Sequence, residues 1–467
     1  MDIKAFLKAP EKELLAQGVD PASADALPLL ELAAEVQAAR RELKQQKNSK
    51  AKVARDFKAV EKGSSEHQAL IDEMQAVSQA FKEAEEQLKN RERVLRAALA
   101  ALAAPEEAKE PPLFRIPSDQ ETSESFQVRE LTEGEYPAWS DYVRQLQSAP
   151  NYCLPEWVGI IEHAFSHPTQ IWAAVTDEGK ILGGIPLTVF DSRLFGRFAV
   201  SMPFFNYGGL LTEYQNVAKA LIKRLQAVRE REGWQHIEIR TTQEGLDLPV
   251  TSRKVSMILP LPKNEVQLDE QLGAKVRAQC KKAEAFRPAV RFGGLELLDD
   301  FYRVFAINMR DLGTPVYSKT WFKAILSHPK VEASLVVVYV NGEAVSAGFL
   351  LGHNGMLEIP WASTVRSANA MDTNMWMYRQ ILDYAVQEEY EFFDFGRSTV
   401  DAGTYRFKKQ WGAKPYPHHW YYLLPEGQEL PSINPDNPKY RAVIAVWKRL
   451  PLWVTQIVGP PIVKNIP

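Results

Sequence analysis

Between residues 29 and 102 the apolar side chains recur at alternating intervals of three and four positions. The first series is Leu29, Leu32, Val36, Ala39, Leu43, Val53, Phe57 and Val60, and the second is Leu70, Met74, Val77, Phe81, Ala84, Leu88, Leu95, Ala98 and Leu102. Such spacing forms one apolar stripe along an α-helix, which is buried when two helices pack together. Gly63 and the serines after it favour a reversal between the two series. We therefore predict two antiparallel helices within residues 27–104, each about 30 residues and roughly 45 Å long.

Charge is divided unequally between these two predicted helices. Residues 40–62 are basic, whereas the second helix is acidic. The net charge of −3 excludes a globally basic nucleic-acid-binding protein, so nucleic-acid contact would depend on this local surplus. One interpretation is charge pairing between the helices with solvated outer faces; the other is a basic stripe that follows a phosphate backbone. The candidate tRNA-binding residues are Arg40, Arg41, Lys44, Lys47, Lys50, Lys52 and Arg55.

The segments MDIKAFLKAPEKELLAQGVD and ARRELKQQKNSKAKVARDFKA, followed by an acidic helix, resemble the N-terminal tRNA-binding arm of bacterial seryl-tRNA synthetase. The resemblance covers residues 1–104, and Arg41-Glu42-Leu43 and Asn48-Ser49-Lys50 are its most specific parts. It implies an arm that binds the long variable stem of serine tRNA through shape and phosphate contacts. Nothing resembles the synthetase catalytic domain, so we do not expect the chain to activate serine itself.

After the predicted arm, the sequence changes character at a proline-rich segment. Residues 105–125 lack periodicity and are predicted to be a linker. Residues 126–262 and 263–426 share an order of helices, hairpin, strand, helix and strand, which predicts an α+β fold with an internal duplication. An apolar, aromatic tail follows at residues 427–467 and is predicted to be amphipathic. This tail either packs on the second unit or lies at a membrane interface.

The order of these elements resembles the acyltransferase fold of the GNAT type. The tandem arrangement, with GTYRFKKQWGA closing the second copy, resembles the Fem family of aminoacyl-tRNA-dependent transferases over residues 126–426. NMRDLGTPVYSK (308–319) and FDFGRS are similar to Fem-like proteins found beside exopolysaccharide and exosortase loci. The resemblance implies tandem GNAT-like domains and aminoacyl transfer, with aminoacyl-tRNA as co-substrate and no bound cofactor.

The choice between acyl-CoA and aminoacyl-tRNA as donor depends on a phosphate-binding loop. GNAT enzymes that use acyl-CoA carry R/Q-x-x-G-x-G/A after a central strand, where glycines let backbone N–H groups approach the pyrophosphate. The nearest string runs from Arg310 to Pro315, but it follows a predicted helix and ends in the wrong residue. This weakens acyl-CoA as the donor without excluding it.

The closing motif supplies the candidate catalytic residues. Aminoacyl transfer needs positioning, a route for the acceptor's proton and stabilisation of the oxyanion. The Fem resemblance assigns the last role to a Phe-Lys pair, here Phe407 and Lys408. If the segment is extended, Arg406 and Lys409 point to the opposite face, towards tRNA phosphates; the alternative is a solvated basic edge strand. Asp394 is a candidate proton acceptor, although a carboxylate at a strand end more often caps a backbone turn.

Further substrate-binding candidates lie in the closing motif, the second unit and the strand exit at residues 201–209. Core packing is the alternative for the aromatic members. These candidates are Tyr405, Arg397, Trp361, Asn374, Arg310, Tyr317, Phe204, Asn206 and Tyr207. The exit lacks the arginine with which muropeptide-using Fem enzymes suit a nucleotide-sugar phosphate, so that acceptor class is not carried over.

Together these patterns favour a transferase that moves serine from seryl-tRNA to an amine or hydroxyl of an unidentified acceptor. Two alternatives remain open: an acyl-CoA-type acyltransferase of exopolysaccharide or cell-envelope assembly with a dimerising coiled coil, and a noncatalytic tRNA-binding adaptor. No CxxC or HExxH spacing supports a metal site. The two cysteines and the lack of an apolar leader predict a cytoplasmic protein, either free or peripheral to the inner membrane.

Overall fold

Two long helices dominate the N-terminal part of the computed structural model. The structure describes residues 3–16, 19, 21–22, 26–60, 65–102, 110–193, 195–430 and 438–467. The chain divides into two compact units, residues 1–109 and 110–467. The helices of the first unit are Ile3–Lys8 (α1), Pro10–Ala16 (α2), Leu27–Ala59 (α3) and Ser65–Leu102 (α4).

Helices α3 and α4 pack along each other, which confirms the predicted hairpin. Their contact is densest near α1, where Phe6, Leu29, Val36, Leu95 and Leu99 form one buried cluster. Farther along α3, buried positions are sparse, so most side chains there face solvent. The predicted reversal at residues 61–64 lies outside the described residues.

The second unit combines helices with two β-sheets. Its helices are Tyr136–Gln145 (α5), Glu156–Phe165 (α6), Gln215–Glu232 (α7), Glu265–Gln271 (α8), Ala274–Glu284 (α9), Leu298–Leu312 (α10), Lys319–Leu326 (α11), Thr373–Gln387 (α12), Gly403–Lys409 (α13), Pro438–Trp447 (α14) and Leu452–Val463 (α15). Its strands are Phe126–Glu130 (β1), Thr169–Thr176 (β2), Ile181–Ser192 (β3), Gly196–Val200 (β4), Leu211–Thr212 (β5), Ile237–Thr241 (β6), Val250–Thr251 (β7), Lys254–Pro260 (β8), Ala289–Gly293 (β9), Glu332–Val340 (β10), Glu343–His353 (β11), Met356–Thr364 (β12), Phe392–Thr399 (β13), Lys414–Pro417 (β14) and His419–Leu423 (β15).

The two sheets have the same strand order. The first runs β1-β2-β3-β4-β6-β15-β7, with β5 beside β3, and the second runs β9-β10-β11-β12-β13-β8-β14. In each sheet four antiparallel strands meet a parallel neighbour, β4 beside β6 and β12 beside β13. This shared order confirms the predicted α+β fold with two similar halves.

Each sheet takes one strand from beyond the predicted boundary at residues 262 and 263. Strand β8 was expected in the first half, but it pairs with β13 and β14 of the second sheet. Strand β15 was expected in the second half, but it lies between β6 and β7 of the first sheet. Sequence order alone suggested a clean division, whereas backbone pairing joins the halves through these two exchanged strands.

The predicted linker is partly packed. From residue 110 onward this segment lies on the second unit, where Phe114 and Ile116 are buried. The Thr242 hydroxyl donates to the Phe114 carbonyl at 2.9 Å, and Ile116 N–H donates to Gln243 Oε1 at 2.6 Å. Apolar anchors and backbone hydrogen bonds therefore hold residues 110–125 in place, while residues 105–109 lie outside the described residues.

The second sheet separates two apolar cores, because alternate residues of its strands point to opposite faces. On β10, Leu335 and Val337 join the core shared with the first half, whereas Val336 and Val338 face the core under α12. Both faces are thus buried, and β10 is a continuous apolar run.

The closing motif is helical rather than extended, so neither the extended segment nor the solvated edge strand considered from the sequence is present there. Residues Gly403–Lys409 form α13. Phe407 and Trp411, four residues apart, both lie against Tyr378, with ring centroids 5.4 and 6.0 Å away. Helical periodicity puts Arg406 and Lys409 on the exposed side and turns Lys408 inward.

Among the described residues, none of the helices has both the length and the apolar character needed to cross a membrane.

Candidate active site where two parallel strands separate

Strands β12 and β13 pair over only a short distance. Met356–Glu358 lies beside Phe392–Asp394, and pairing ends there. Just beyond, the register of β13 against β8 shifts between Asp394 and Arg397, and Gly396 has φ +77°. A Cβ at Gly396 would meet the Ile359 carbonyl oxygen at 3.1 Å. The strands therefore diverge at a position that suits glycine, and their backbone groups need other partners.

Lys408 occupies this separation. Its ammonium donates to the carbonyl oxygens of Gly396 and Arg397, each at 2.9 Å. Burial lowers the pKa of Lys408 to about 8, although the charges of Asp394 and Glu358 favour the protonated form. An ammonium has three N–H donors, so one remains after these two bonds. The predicted catalytic lysine thus reaches the site, where it also binds two backbone carbonyls.

Asp394, the predicted proton acceptor, is fully buried. It accepts hydrogen bonds from Ser256 Oγ and from Gly396 N–H, both at 2.8 Å. The second contact is the turn-capping role that the sequence left open. Burial raises the pKa of Asp394 to about 6, against the opposing effect of its hydrogen bonds.

A hydrogen-bonded chain leads away from Asp394. Ser256 Oγ lies 3.0 Å from Nε2 of His418, which is also buried. Burial lowers the pKa of His418 to about 3, so its ring is neutral at pH 7. Since Ser256 donates to Asp394, the ring N–H at Nε2 donates to Ser256. This chain fixes the orientation of the Asp394 carboxylate.

Glu358 is one of the site residues that sequence reasoning missed. It is the β12 neighbour of Asp394, and paired residues of neighbouring strands direct their side chains to the same face of a sheet. Burial, followed by the charge of Asp394, raises the pKa of Glu358 to about 8. The available signal was one charged residue in the otherwise apolar start of β12, MLEIPW.

The first half of the second unit supplies the partners of Glu358. Tyr152 Oη donates to Glu358 Oε2, and Asn206 Nδ2 donates to Glu358 Oε1 at 3.1 Å. Tyr207 is buried nearby, and burial together with the charges of Asp394 and Glu358 raises the pKa of its hydroxyl. The predicted residues Asn206 and Tyr207 therefore belong to this site.

A small cavity reaches Glu358. Its volume is about 30 Å³, and its lining includes Asn151, Tyr152, Tyr207, His353 and Glu358. This is room for one or two water molecules beside polar groups that can bind them. The cavity therefore places water-sized space beside the Glu358 carboxylate.

An aromatic cluster contains three predicted substrate-binding residues. Trp361 lies 6.1 Å from Tyr317 and 6.0 Å from Phe205, and Phe204 lies 5.9 Å from Tyr317, between ring centroids. Phe204 has φ +73°, which is unusual for a bulky residue. The structure brings Trp361, Tyr317 and Phe204 together, and all three are partly buried.

Arg397 lies on the exposed side of β13, with its guanidinium 5.4 Å from the Trp420 ring. Arg240 lies over the same ring at 4.3 Å. Burial, followed by the charge of Arg240, lowers the pKa of Arg397. The side chain is thus accessible but closely surrounded by protein, as in a cleft.

Other predicted residues have local partners instead. Arg310 pairs with Asp311 at 2.8 Å, and Asn374 Oδ1 accepts from the Thr364 hydroxyl at 3.4 Å. Tyr405 is partly buried against the core under α12, and its ring lies 6.0 Å from the Lys409 ammonium. These contacts place Arg310 in an ion pair and Tyr405 beside the core.

One further contact explains a role that the sequence left open. Phe407 packs in the core under α12, which accounts for it without catalysis. A groove of about 770 Å³ elsewhere, lined by residues such as Glu133, Asp141 and Lys330, contains no predicted site residue and neither of the paired carboxylates.

The connection after β12 is where a GNAT pyrophosphate loop would lie. The nearest such string in the sequence is Arg310–Pro315, which begins on α10. Residues 365–372, between β12 and α12, read VRSANAMD and contain no glycine. A tight turn over Arg366–Met371 fills most of this connection. Side chains at every position hinder close approach of a pyrophosphate to the backbone.

The predicted tRNA-binding residues of α3 are all exposed. Arg40 pairs with Glu92 on α4 at 2.7 Å, and the Lys50 ammonium lies 5.0 Å from the Phe81 ring. Arg40, Lys44, Lys47 and Arg55 are spaced so that they share one face of the helix. They form a basic stripe along roughly 22 Å of α3.

Comparison with known proteins gives one family match. Residues 272–409 match the model described as an acetyltransferase (GNAT) domain. The match runs from the start of α9 to the end of α13 and includes Glu358, Asp394 and Lys408. No curated protein matches the chain.

Several solved structures are similar to part of this chain. FemX is 16% identical with a TM-score of 0.48, covering 63% of this chain and 97% of its own. A tandem GNAT protein from the clavulanic acid biosynthesis pathway is 12% identical with a TM-score of 0.43, covering 64% and 97%. The C-terminal domain of a putative lysylphosphatidylglycerol synthetase from Agrobacterium fabrum is 11% identical with a TM-score of 0.44, covering 62% and 92%.

The family match and the duplicated sheet order lead to one conclusion. The protein is an acyl-transferring enzyme with two GNAT-like halves, and its second half carries an acetyltransferase (GNAT) domain.

Proposed function

We propose that the protein transfers an aminoacyl group, serine from seryl-tRNA, to an amine or hydroxyl of an acceptor. The observation that carries the proposal is the pair of buried carboxylates, Glu358 and Asp394, beside Lys408 at the strand separation. Like charges in a buried site are energetically costly, and such arrangements cluster at functional sites. A small cavity of about 30 Å³ reaches one of the two, Glu358.

Glu358 acts as the general base. Its raised pKa of about 8 lets the ionised fraction take a proton from the acceptor near neutral pH. The acceptor nitrogen or oxygen then bonds to the ester carbonyl carbon, and the bond from that carbon to the ribose oxygen of the tRNA breaks. Glu358 returns the proton to the departing ribose oxygen, so the enzyme ends the cycle unchanged. Tyr152 and Asn206 hold the carboxylate in position throughout.

Lys408 stabilises the tetrahedral oxyanion. Two of its N–H groups bind the carbonyls of Gly396 and Arg397, and this fixes the ammonium. The third N–H is directed to the developing negative charge, which a preorganised donor in a low-dielectric site stabilises strongly. Asp394, held by Ser256 and Gly396, keeps the lysine protonated through its charge.

Two observations favour a tRNA donor over acyl-CoA. The connection after β12 lacks glycine, so the usual pyrophosphate cradle has no counterpart there. The α3 stripe presents exposed cations at helical spacing, as a phosphate-backbone contact requires. The choice of serine rests on the resemblance of residues 1–104 to the synthetase arm.

In the test, purified enzyme is added to cell extract, which supplies the acceptor. Labelled seryl-tRNA and labelled acetyl-CoA are then given in separate reactions. We expect label to move to an acceptor from seryl-tRNA only, and Glu358→Gln to stop it. Glu343→Gln, the same change at an exposed position of the same sheet, is the control and should transfer normally. Transfer by Glu358→Gln at the wild-type rate would remove the assigned base.

The acetyltransferase description of the matched domain favours a second candidate, an acyl-CoA-dependent acyltransferase of cell-envelope assembly. In that case α3 and α4 serve dimerisation. Label moving from acetyl-CoA alone, together with a dimer that is lost when residues 1–104 are deleted, would establish this candidate instead. The noncatalytic adaptor alternative conflicts with the acetyltransferase match and is not proposed.

A further inference from the structure

The C-terminal helix α15 packs on the second unit through one face. Thr455, Gly459 and Val463, spaced four residues apart, are buried. Gly459 lies so close to Val316 that a Cβ would meet the Val316 backbone nitrogen at 2.9 Å. His167 Nε2 lies 2.6 Å from the Lys464 carbonyl oxygen, which ties the end of the helix to the first half. The helix is therefore held in a fixed orientation.

The opposite face of α15 is apolar and exposed. Trp453 and Ile457 are 64% and 65% exposed, and Pro461 continues the same face. A helix that is apolar on all sides is ordinarily buried all round or placed against lipid. The part of the chain that the structure describes offers no protein partner for these two side chains.

Neighbouring elements extend this apolar surface. On α14, Val443 and Val446 are 62% and 60% exposed, and Leu312 at the end of α10 is 56% exposed. Gly313, next to Leu312, lies against Ile444 and the Lys448 stem, so these elements adjoin. Within the described part of the second unit, these five side chains are the most exposed large apolar residues. We call Leu312, Val443, Val446, Trp453 and Ile457 the tail surface.

The charges on the C-terminal helices α14 and α15 have one sign. Lys448 and Arg449 are exposed between its two helices. In sequence, Asp436 is the last acidic residue, whereas Lys439, Arg441, Lys448, Arg449 and Lys464 follow it. An apolar surface with a tryptophan and flanking cations complements a bilayer with anionic headgroups. A second copy fits less well, because a two-fold contact would bring the same cations together.

Helix geometry limits how the tail surface meets a bilayer. Helix α15 has 12 residues, about 18 Å, and contains Pro460 and Pro461. A membrane-spanning helix needs roughly 20 apolar residues, so α15 would lie in the interface plane. We propose that the tail surface docks the protein on an anionic phospholipid bilayer, with Trp453 and Ile457 among the acyl chains and Lys448 and Arg449 at the headgroups. This docking proposal does not depend on which acyl donor the enzyme uses.

The test is flotation of the full-length protein with vesicles of phosphatidylcholine, alone or with one third phosphatidylglycerol. We expect binding to the anionic vesicles, and about a tenfold or greater loss of affinity in Lys448→Glu/Arg449→Glu. Trp453→Ser/Ile457→Ser should also lose binding to the anionic vesicles. The controls are Lys275→Glu/Lys281→Glu on α9 and Leu295→Ser, which change exposed residues elsewhere in the second unit and should bind normally.

Three results would overturn the proposal. One is absence of vesicle binding by the wild type. Another is loss of binding in Arg41→Glu/Lys44→Glu but not in the tail variants, which would place the lipid contact on the arm. The third is a concentration-dependent dimer in sedimentation that Trp453→Ser/Ile457→Ser dissolves while vesicle binding is unchanged. Near-ultraviolet circular dichroism of each variant excludes loss of folding as the cause.

Discussion

Both sheets open between a parallel pair of strands, but the two openings are filled differently. In the first sheet β4 and β6 pair only at Ala199 with Ile237 and Val200 with Glu238. In the second sheet the last pair is Glu358 with Asp394. Glu238, whose paired residue is a valine, can be neutralised by one cation. Glu358 and Asp394 are adjacent carboxylates, and one lysine cannot neutralise both.

The first opening contains a balanced ion pair. Arg240 Nε donates to Glu238 Oε1 at 2.6 Å, and its Nη1 donates to the Phe205 carbonyl at 3.1 Å. Tyr422, on the exchanged strand β15, donates to Glu238 Oε2 at 2.8 Å. Arg240 thus binds a backbone carbonyl much as Lys408 does in the second opening. The comparison teaches that one architecture can hold a balanced ion pair in one half and, in the other, two carboxylates beside a single lysine, which is the proposed catalytic group.

Glu358→Gln should have the largest effect. Removing the base is expected to lower kcat about 10²- to 10⁴-fold, because general-base catalysis contributes that much. The amide can still accept from Tyr152, so the fold should survive. Steady-state transfer and thermal unfolding measure the two effects. A variant that unfolds as the wild type does yet transfers at full rate would make the second opening as structural as the first.

Glu238→Gln should lower stability and leave kcat unchanged. It leaves Arg240 buried without its ion partner, which costs about 3–5 kcal/mol in the free energy of unfolding. Tyr422→Phe removes only one hydrogen bond to the same carboxylate and should cost about 1 kcal/mol. Urea unfolding measures both, and kcat well below the unfolding midpoint should stay unchanged. Loss of kcat without loss of stability would erase the distinction between the openings.

Lys408→Ala should lower transfer about 10²- to 10³-fold yet leave tRNA binding nearly intact. Losing one preorganised oxyanion donor costs about 10²- to 10³-fold in kcat, and the freed carbonyls of Gly396 and Arg397 add a stability cost. Lys409→Ala, on the exposed side of the same helix, is the matched control. Filter binding of serine tRNA and single-turnover transfer separate the two roles. Wild-type turnover in Lys408→Ala would show that Lys408 serves only to bind the two backbone carbonyls.

The smallest of the expected effects is the pH dependence of kcat/KM and of stability, which should also distinguish the two openings. If ionised Glu358 is the base, kcat/KM should rise tenfold per pH unit up to about pH 8 and then level off. The folded-state pKa of Glu358 is raised above its ordinary 4.5, so its protonation stabilises the fold at low pH. That stabilisation is lost as the pH rises from about 4.5 through about 8. Glu358→Gln should show a weaker decline in stability over this range, and an unchanged decline would contradict the raised pKa.

Local patterns made much of the fold predictable. The heptad spacing on α3 and α4 reports a buried stripe directly, and the apolar run of β10 reports a strand covered on both faces. The closing motif was misjudged because GTYRFKK has no clear period over seven residues. Its helix is held by Phe407 and Trp411 packing against Tyr378, a contact distant in sequence.

The candidate site was only partly predictable for a related reason. Lys408 and Asp394 lie in one motif, so their sequence neighbourhood drew attention to them. Glu358 lies 36 positions before Asp394 and becomes its neighbour only through parallel pairing. Tyr152 is more distant still, 206 positions from Glu358. Non-local pairing of this kind leaves no trace in spacing, although a lone charge in an apolar strand is a usable warning.

The exchanged strands β8 and β15 have a consequence for biosynthesis. While the chain emerges from the ribosome, the first sheet has a vacant place between β6 and β7 until residues 419–423 are made. Strand β8, already synthesised, waits for β13 across more than a hundred residues. Unpaired strands are prone to wrong partners during that interval. The two halves therefore mature together late in synthesis, and a chain cut between them would leave each half without a strand that the other supplies.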